Sequence, residues 1–186
     1  MPARSAAFDW VTTSATEKGA GSVPTKQEIE DAIRKGKERV QHTFGNLTDA
    51  ELNRVVHEGD GGWTAKEVLA HLAGRARGYE RTVQTVQGQA PAQPAGGAFN
   101  VDQWNRDRIN ERIHKSRDEL LQEFHAVHDD LIAKVRGLTD PQLANTVSRP
   151  TGDISAGEAL ARAGGQHAIN HSVEVEQALG KEPPAS

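Results

Sequence analysis

Apolar residues recur along much of this chain at intervals of three and four, the pattern of helices that bury one face. Ile29, Ile33, Gly36, Val40, Phe44 and Leu47 form the first stripe, and Thr25 with Glu28 ahead of it has the form of a capping box. Thr64 and Glu67 open a second helix, with Val68, Leu69, Leu72, Ala76, Tyr79, Val83 and Val86 on its apolar face. Gly88 to Ala98, rich in Gln, Ala, Pro and Gly, breaks the pattern and predicts a long connection. A third helix is predicted from Asn100 or Asp102 to Gly137, carrying Ile109, Ile113, Leu120, Phe124, Leu131 and Val135, with a kink near Ser116. Ser155 and Glu158 cap a fourth. Leu47 to Gly62 and Leu138 to Gly152 predict loops, the first with a short helical turn capped by Thr48 or Asp49. The expectation is an all-α fold of two helical hairpins over residues 24–180. Residues 1–23 would form a flexible arm, which Phe8 and Trp10 either pin to a groove or leave unattached, and 181–186 a short tail.

The two hairpins resemble each other. Shifting the chain by 91 residues lays Thr25/Glu28 on Ser116/Glu119, Leu47-Thr48-Asp49 on Leu138-Thr139-Asp140, and Thr64-Ala65-x-Glu67 on Ser155-Ala156-x-Glu158. Between 25–74 and 116–165 the two halves are identical at 12 of 50 positions, against roughly three or four expected from composition. The constant offset across loops favours a true repeat over common capping chemistry.

Within that frame the chemistry concentrates in the fourth helix, where His167 and His171 stand one turn apart. Two imidazoles at this spacing lie on one face and can share a metal ion. Eight His in 186 residues supply such a spacing by chance about one time in three, so position matters more than spacing. The stripe Leu160, Ala163, His167, His171, Glu174, Ala178 puts both on the face expected to point inward. His71, at the edge of the second stripe, suits either a third ligand or a boundary histidine bonded to backbone or water. His42, His57, His114, His125 and His128 fall mostly among charged neighbours and are read as solvated.

A net charge of -4 from interspersed residues of both signs gives no basic footprint, so nucleic acid is not an expected partner. With no cysteine, disulfides, thiolate ligands and a protein thiol nucleophile are excluded. No apolar run reaches the length of a membrane span and no signal-peptide core precedes the first helix. The expectation is a soluble, cytoplasmic protein without a membrane partner.

Gly62-Trp63-Thr64-Ala-Lys-Glu-Val-Leu-Ala-His71-Leu-Ala-Gly, followed much later by His167-Ala-Ile-Asn-His171, resembles the DinB/YfiT-like superfamily. That superfamily includes the N-terminal domain of mycothiol-dependent maleylpyruvate isomerases and the ClbS-like proteins. The resemblance covers about 24–180 and implies a four-helix bundle with a long crossover, a homodimer, and a divalent metal held by His71, His167 and His171. Zinc is the default ion, with nickel, iron or manganese also suited to imidazole. Three neutral ligands leave the ion its full charge, which lowers the pKa of a bound water or ionises an incoming thiol. The chain ends soon after the fourth helix, without the extra C-terminal domain of the maleylpyruvate isomerases, so that particular isomerisation is not the expected activity.

Around such a site Glu174 is a candidate to fix the tautomer of a ligand imidazole or to act as general base, or else a semi-exposed carboxylate at the helix end. Arg75, one turn after His71, either holds an anionic substrate group or is a solvated surface residue. Trp104 and Asn105 would line the bundle mouth, unless Trp104 serves packing. The function expected is that of a metal-dependent enzyme acting on a small electrophilic molecule, as a thiol S-transferase or hydrolase, with an external low-molecular-weight thiol as a further cofactor. The alternatives are a binding or sequestration module on the same bundle and a stress-induced dimeric scaffold.

Overall fold

The computed structural model describes residues 22–57, 62–89, 100–148 and 152–182, with backbone only at 76 and 77. Phe8, Trp10 and most of the connection that begins at Gly88 lie outside the described residues. In chain order the elements are α1 (Lys26–Gly45), α2 (Asp49–Leu52), β1 (Val55–His57), β2 (Trp63–Thr64), α3 (Ala65–Ala73) and α4 (Ala76–Val86). There follow α5 (Val101–Asn110), α6 (Arg117–Gly137), α7 (Asp140–Ala144), β3 (Thr146–Val147), β4 (Ile154–Ser155), α8 (Ala156–Ala161), a π-helical turn (Arg162–Gln166) and α9 (His167–Leu179). The fold is a four-helix bundle, its arms being α1, α3 with α4, α5 with α6, and α8 with α9. Among the described residues no helix is long and apolar enough to cross a membrane.

Local chemistry sets most of the starts. Thr25, Thr48, Thr64, Ser116 and Thr139 each accept a hydrogen bond from the amide three residues on, and the Glu or Gln there accepts the cap's own amide in return. At Ser155 the cap accepts from the Glu158 amide at 3.2 Å, but the Glu158 carboxylate pairs with Arg162.

The 91-residue repeat is visible in three dimensions. The hairpin β1–β2, with Val55 opposite Thr64, matches β3–β4, with Thr146 opposite Ser155. Ala65 N donates to Arg54 O at 3.0 Å, and Ala156 N to Asn145 O at 2.8 Å, the same bond at the same offset. The sequence reading missed both hairpins because strands of two or three residues carry too few positions for a period of two to register.

Three helices expected to be continuous are interrupted. The second breaks at Gly74 and Arg75. The third does not merely kink near Ser116: that residue takes an extended backbone (φ -68, ψ 164) and caps a new helix. In the fourth, the π-helical turn adds a residue to the period, so core positions beyond it are Ala168, Ser172 and Val175. Positions 167, 171 and 174 are turned to the flank that faces α3 and β1, and Ala178 is exposed, a correction to the inward stripe expected for them. The turn lies tight on α1. A Cβ built on Gly165 would stand 2.4 Å from the Ala32 carbonyl oxygen, and one on Gly36 3.0 Å from Gly165.

The core is two apolar clusters end to end. One holds Val40, Phe44, Leu69, Leu72, Leu120, Phe124 and Val175; the other holds Ile29, Ile33, Tyr79, Val83, Leu131, Val135 and Leu160. Between these groups along the helices lie Gly36, Arg75, His128 and Gly164–Gly165, a polar, close-packed waist.

Candidate metal centre

His71 is 3% exposed on α3, while His167 and His171 on α9 are part-buried. One ring nitrogen from each of the three lies within 4.8 Å of the others. His71 Nε2 and His167 Nε2 are 3.0 Å apart. Two nitrogens sharing an ion at about 2.0 to 2.1 Å stand about 2.9 to 3.4 Å apart for angles between 90° and 109°, so this pair already has ligand spacing.

Burial holds the His71 and His167 imidazoles well below their ordinary pKa, helped at His71 by His171 and Arg75 and at His167 by Arg75 and His171. Both are therefore neutral at physiological pH, the form that ligates a metal. His171 Nδ1 bonds a Glu174 oxygen at 2.9 Å, which assigns the proton to Nδ1 and leaves the Nε2 lone pair for the cluster. The other Glu174 oxygen meets His57 Nδ1 at 2.5 Å. Burial alone would raise the Glu174 pKa, but its bonds to His171 and His57 outweigh that and lower it. The donor set fits a divalent cation: three imidazoles, two of them held neutral by burial and the third backed by an ionised carboxylate.

His57 is a correction to the sequence reading, which assigned it to solvent. It sits on β1 with its ring 4.9 Å from that of Trp63, and Trp63 in turn lies 5.1 Å from the His71 ring. The hairpin folds an aromatic wall over the cluster. Val55-Val56-His57 ahead of a Gly-rich turn was the available signal, β-branched residues beside a hairpin loop. His128 is a second correction, since it is fully buried. Its Nδ1 bonds the Phe124 carbonyl at 2.8 Å and its Nε2 lies 3.2 Å from the Tyr79 hydroxyl. Burial lowers its pKa to about 4. Among charged neighbours in sequence, it is nevertheless on the inner face of α6.

Of the remaining candidates, Trp104 on α5 lies under the Arg108 guanidinium, 5.9 Å from ring centre to Cζ, and Asn105 is part-buried beside it. The α5 residue that reaches the aromatic wall is Arg106, which stacks over Trp63 at 6.0 Å and pairs with Glu67 at 2.9 Å. Arg75 is part-buried in the waist, not solvated.

Among solved structures the chain is similar to YfiT from Bacillus subtilis, a probable metal-dependent hydrolase with an unusual four-helix-bundle topology. The two share 21% identity over 90% of this chain and 95% of that one, with a TM-score of 0.64. It is also similar to the mycothiol-dependent maleylpyruvate isomerase, at 18% identity and a TM-score of 0.63 over 82% of this chain; it spans only 61% of that protein. The colibactin self-resistance protein ClbS, solved in complex with a double-stranded DNA, matches at 13% identity over 85% of this chain and 98% of that one, with a TM-score of 0.65. No curated protein sequence matches. These likenesses establish the shared fold. The family model for the mycothiol maleylpyruvate isomerase N-terminal domain matches residues 33–176, a span that holds all three clustered His, and the chain belongs to that family within the DinB/YfiT-like superfamily.

Proposed function

We propose that the chain is a divalent-metal-dependent enzyme acting on a small electrophilic molecule, as a thiol S-transferase or a hydrolase, with His71, His167 and His171 as its ligands and zinc as its ion. The observation that carries this reading is the convergence of three imidazole nitrogens within 4.8 Å, two of them held neutral by burial. A divalent ion bound there would supply a Lewis acid able to lower the pKa of a water or thiol at an open position. Around it, Glu174 orients the His171 ring, His57 holds Glu174, and Trp63 covers the His71 side. A thiol nucleophile would come from a low-molecular-weight thiol, because the chain contains no cysteine.

The test begins with protein purified without a histidine tag. About one equivalent of metal per chain is expected, lost in His71→Ala. Metal below half an equivalent after reconstitution, or unaltered by that substitution, would overturn the reading. Turnover of a chloronitroarene probe, with and without added thiol, then separates transferase from hydrolase. Stoichiometric metal with no turnover under either condition would favour sequestration, the activity named for ClbS being self-resistance. Light scattering tests the proposed homodimer.

A further inference from the structure

Arg75 places an uncompensated charge in the waist of the bundle. Gly74 and Arg75 keep near-helical backbone after α3 ends (φ -77, ψ 1 and φ -76, ψ -8), so Arg75 leaves the chain on the same side as His71, one turn on. Two contacts across the bundle bracket it. On one side His71 Nε2 lies 3.0 Å from His167 Nε2; on the other the Tyr79 hydroxyl donates to the Ala163 carbonyl at 2.9 Å. Residues 71, 75 and 79 thus step up one helical line while 167 and 163 step along the line opposite.

Between those rungs, the Arg75 guanidinium carbon is 5.9 Å from the Tyr79 ring centre, close enough for its charge to act on the Tyr79 hydroxyl. Its Nε is shut off from solvent and has no acceptor. No carboxylate among the described residues forms an ion pair with it. Its charge reaches the cluster, being among the causes that keep His71, His167 and His128 neutral.

A part-buried cation without a counter-charge is costly, and a divalent ion one turn away would raise that cost. An anion set between the two reverses the sign of both interactions. We propose that Arg75 is the anion-binding residue of the site and takes the carboxylate of a small-molecule substrate, held between the guanidinium and the three-His cluster. The unpartnered Nε–H, with the Nη–H beside it, forms the side-on fork that matches the two oxygens of a carboxylate. The proposal rests on the metal reading only for the second of the anion's positive neighbours.

The test uses the full chain, 15N-labelled, in zinc-loaded and metal-free forms. Propionate is the probe, propionamide its neutral counterpart and inorganic phosphate the rival anion. The Arg75 Nε–H resonance, identified by its loss in Arg75→Met, is expected to shift saturably with propionate, not with propionamide, and more weakly with phosphate. Backbone resonances near His71 should report propionate binding about 10- to 100-fold weaker in Arg75→Met, the loss of one charge-assisted hydrogen bond, and intermediate in Arg75→Lys. Zinc content should be the same in all three proteins. Equal propionate affinity in wild type and Arg75→Met, no saturable shift in wild type, or tighter phosphate than propionate would overturn the proposal. If zinc fails to bind at all, the metal reading falls by itself, and the same wild-type to variant ratio in the metal-free arm decides the anion site. Should Arg75→Met not fold, Arg75→Lys and the wild-type Nε–H shift still decide it.

Discussion

Replacing Gly165 with Ala tests the packing that aims the two α9 histidines. The new Cβ would stand 2.4 Å from the Ala32 carbonyl oxygen, 2.7 Å from its carbon and 3.1 Å from its Cβ. A carbon–oxygen contact needs nearly 1 Å more, and two of the obstructing atoms are backbone, so α1 and the π-helical turn must separate. Overpacking of this kind costs about 1 to 3 kcal/mol, and a rigid backbone obstacle belongs at the upper end. Ala gains about 1 kcal/mol over Gly in helix propensity, which leaves about 2 kcal/mol of net destabilisation. For a chain of this size that is a fall of roughly 4 to 8 °C in Tm. Gly78→Ala is the control: nothing lies within 4 Å of its built Cβ, and it should stabilise by about 0.5 to 1 kcal/mol. Thermal unfolding followed by circular dichroism measures both, and zinc affinity by chelator competition reports whether His167 has moved. A Tm for Gly165→Ala equal to or above wild type would refute the close approach.

Further outcomes follow from single contacts. His128 has its pKa lowered to about 4 by burial, below an unfolded value near 6.5, so the unfolded state takes up the proton first. Stability should be full above pH 6.5 and fall by about 3 kcal/mol as pH drops toward 4. Urea midpoints across that range, compared with His128→Gln, check it; an identical slope in the variant would contradict it. His57→Ala frees one Glu174 oxygen and should weaken zinc binding about 10-fold or more, read by chelator competition, while unchanged affinity would remove His57 from the site. Glu176, 3% exposed, pairs with Arg39 and accepts from Thr43 at 2.6 Å. Glu176→Ala leaves the Arg39 charge unpaired and should cost about 3 kcal/mol in urea unfolding; a loss below about 1 kcal/mol would show that the pair is solvated.

What could be read in advance was whatever neighbours in the chain decide among themselves. A Thr or Ser and the Glu three residues on satisfy each other's backbone wherever they occur, so the caps at Thr25, Thr64 and Ser116 were legible, as was the repeat that their constant offset discloses. The apolar stripes and the one-turn spacing of His167 and His171 belong to the same class of local periodicity. The residues that complete the site were not legible in this way. His57 comes to Glu174 across 117 positions, through a hairpin too short to leave a period, and His128 looked solvated because its sequence neighbours are charged while its own face is not.

Local pattern along the chain sets where helices begin, makes the two hairpins copies, and puts His167 and His171 on one helical face. Which way that face points is settled by packing between distant segments. The extra residue of the π-helical turn, held against α1 by glycines that admit no Cβ, turns His167 and His171 out of the core line toward His71. Among the described residues, no carboxylate forms an ion pair with Arg75 in the waist beside them. Those are consequences of close packing between segments far apart in the chain, and no local pattern encodes them.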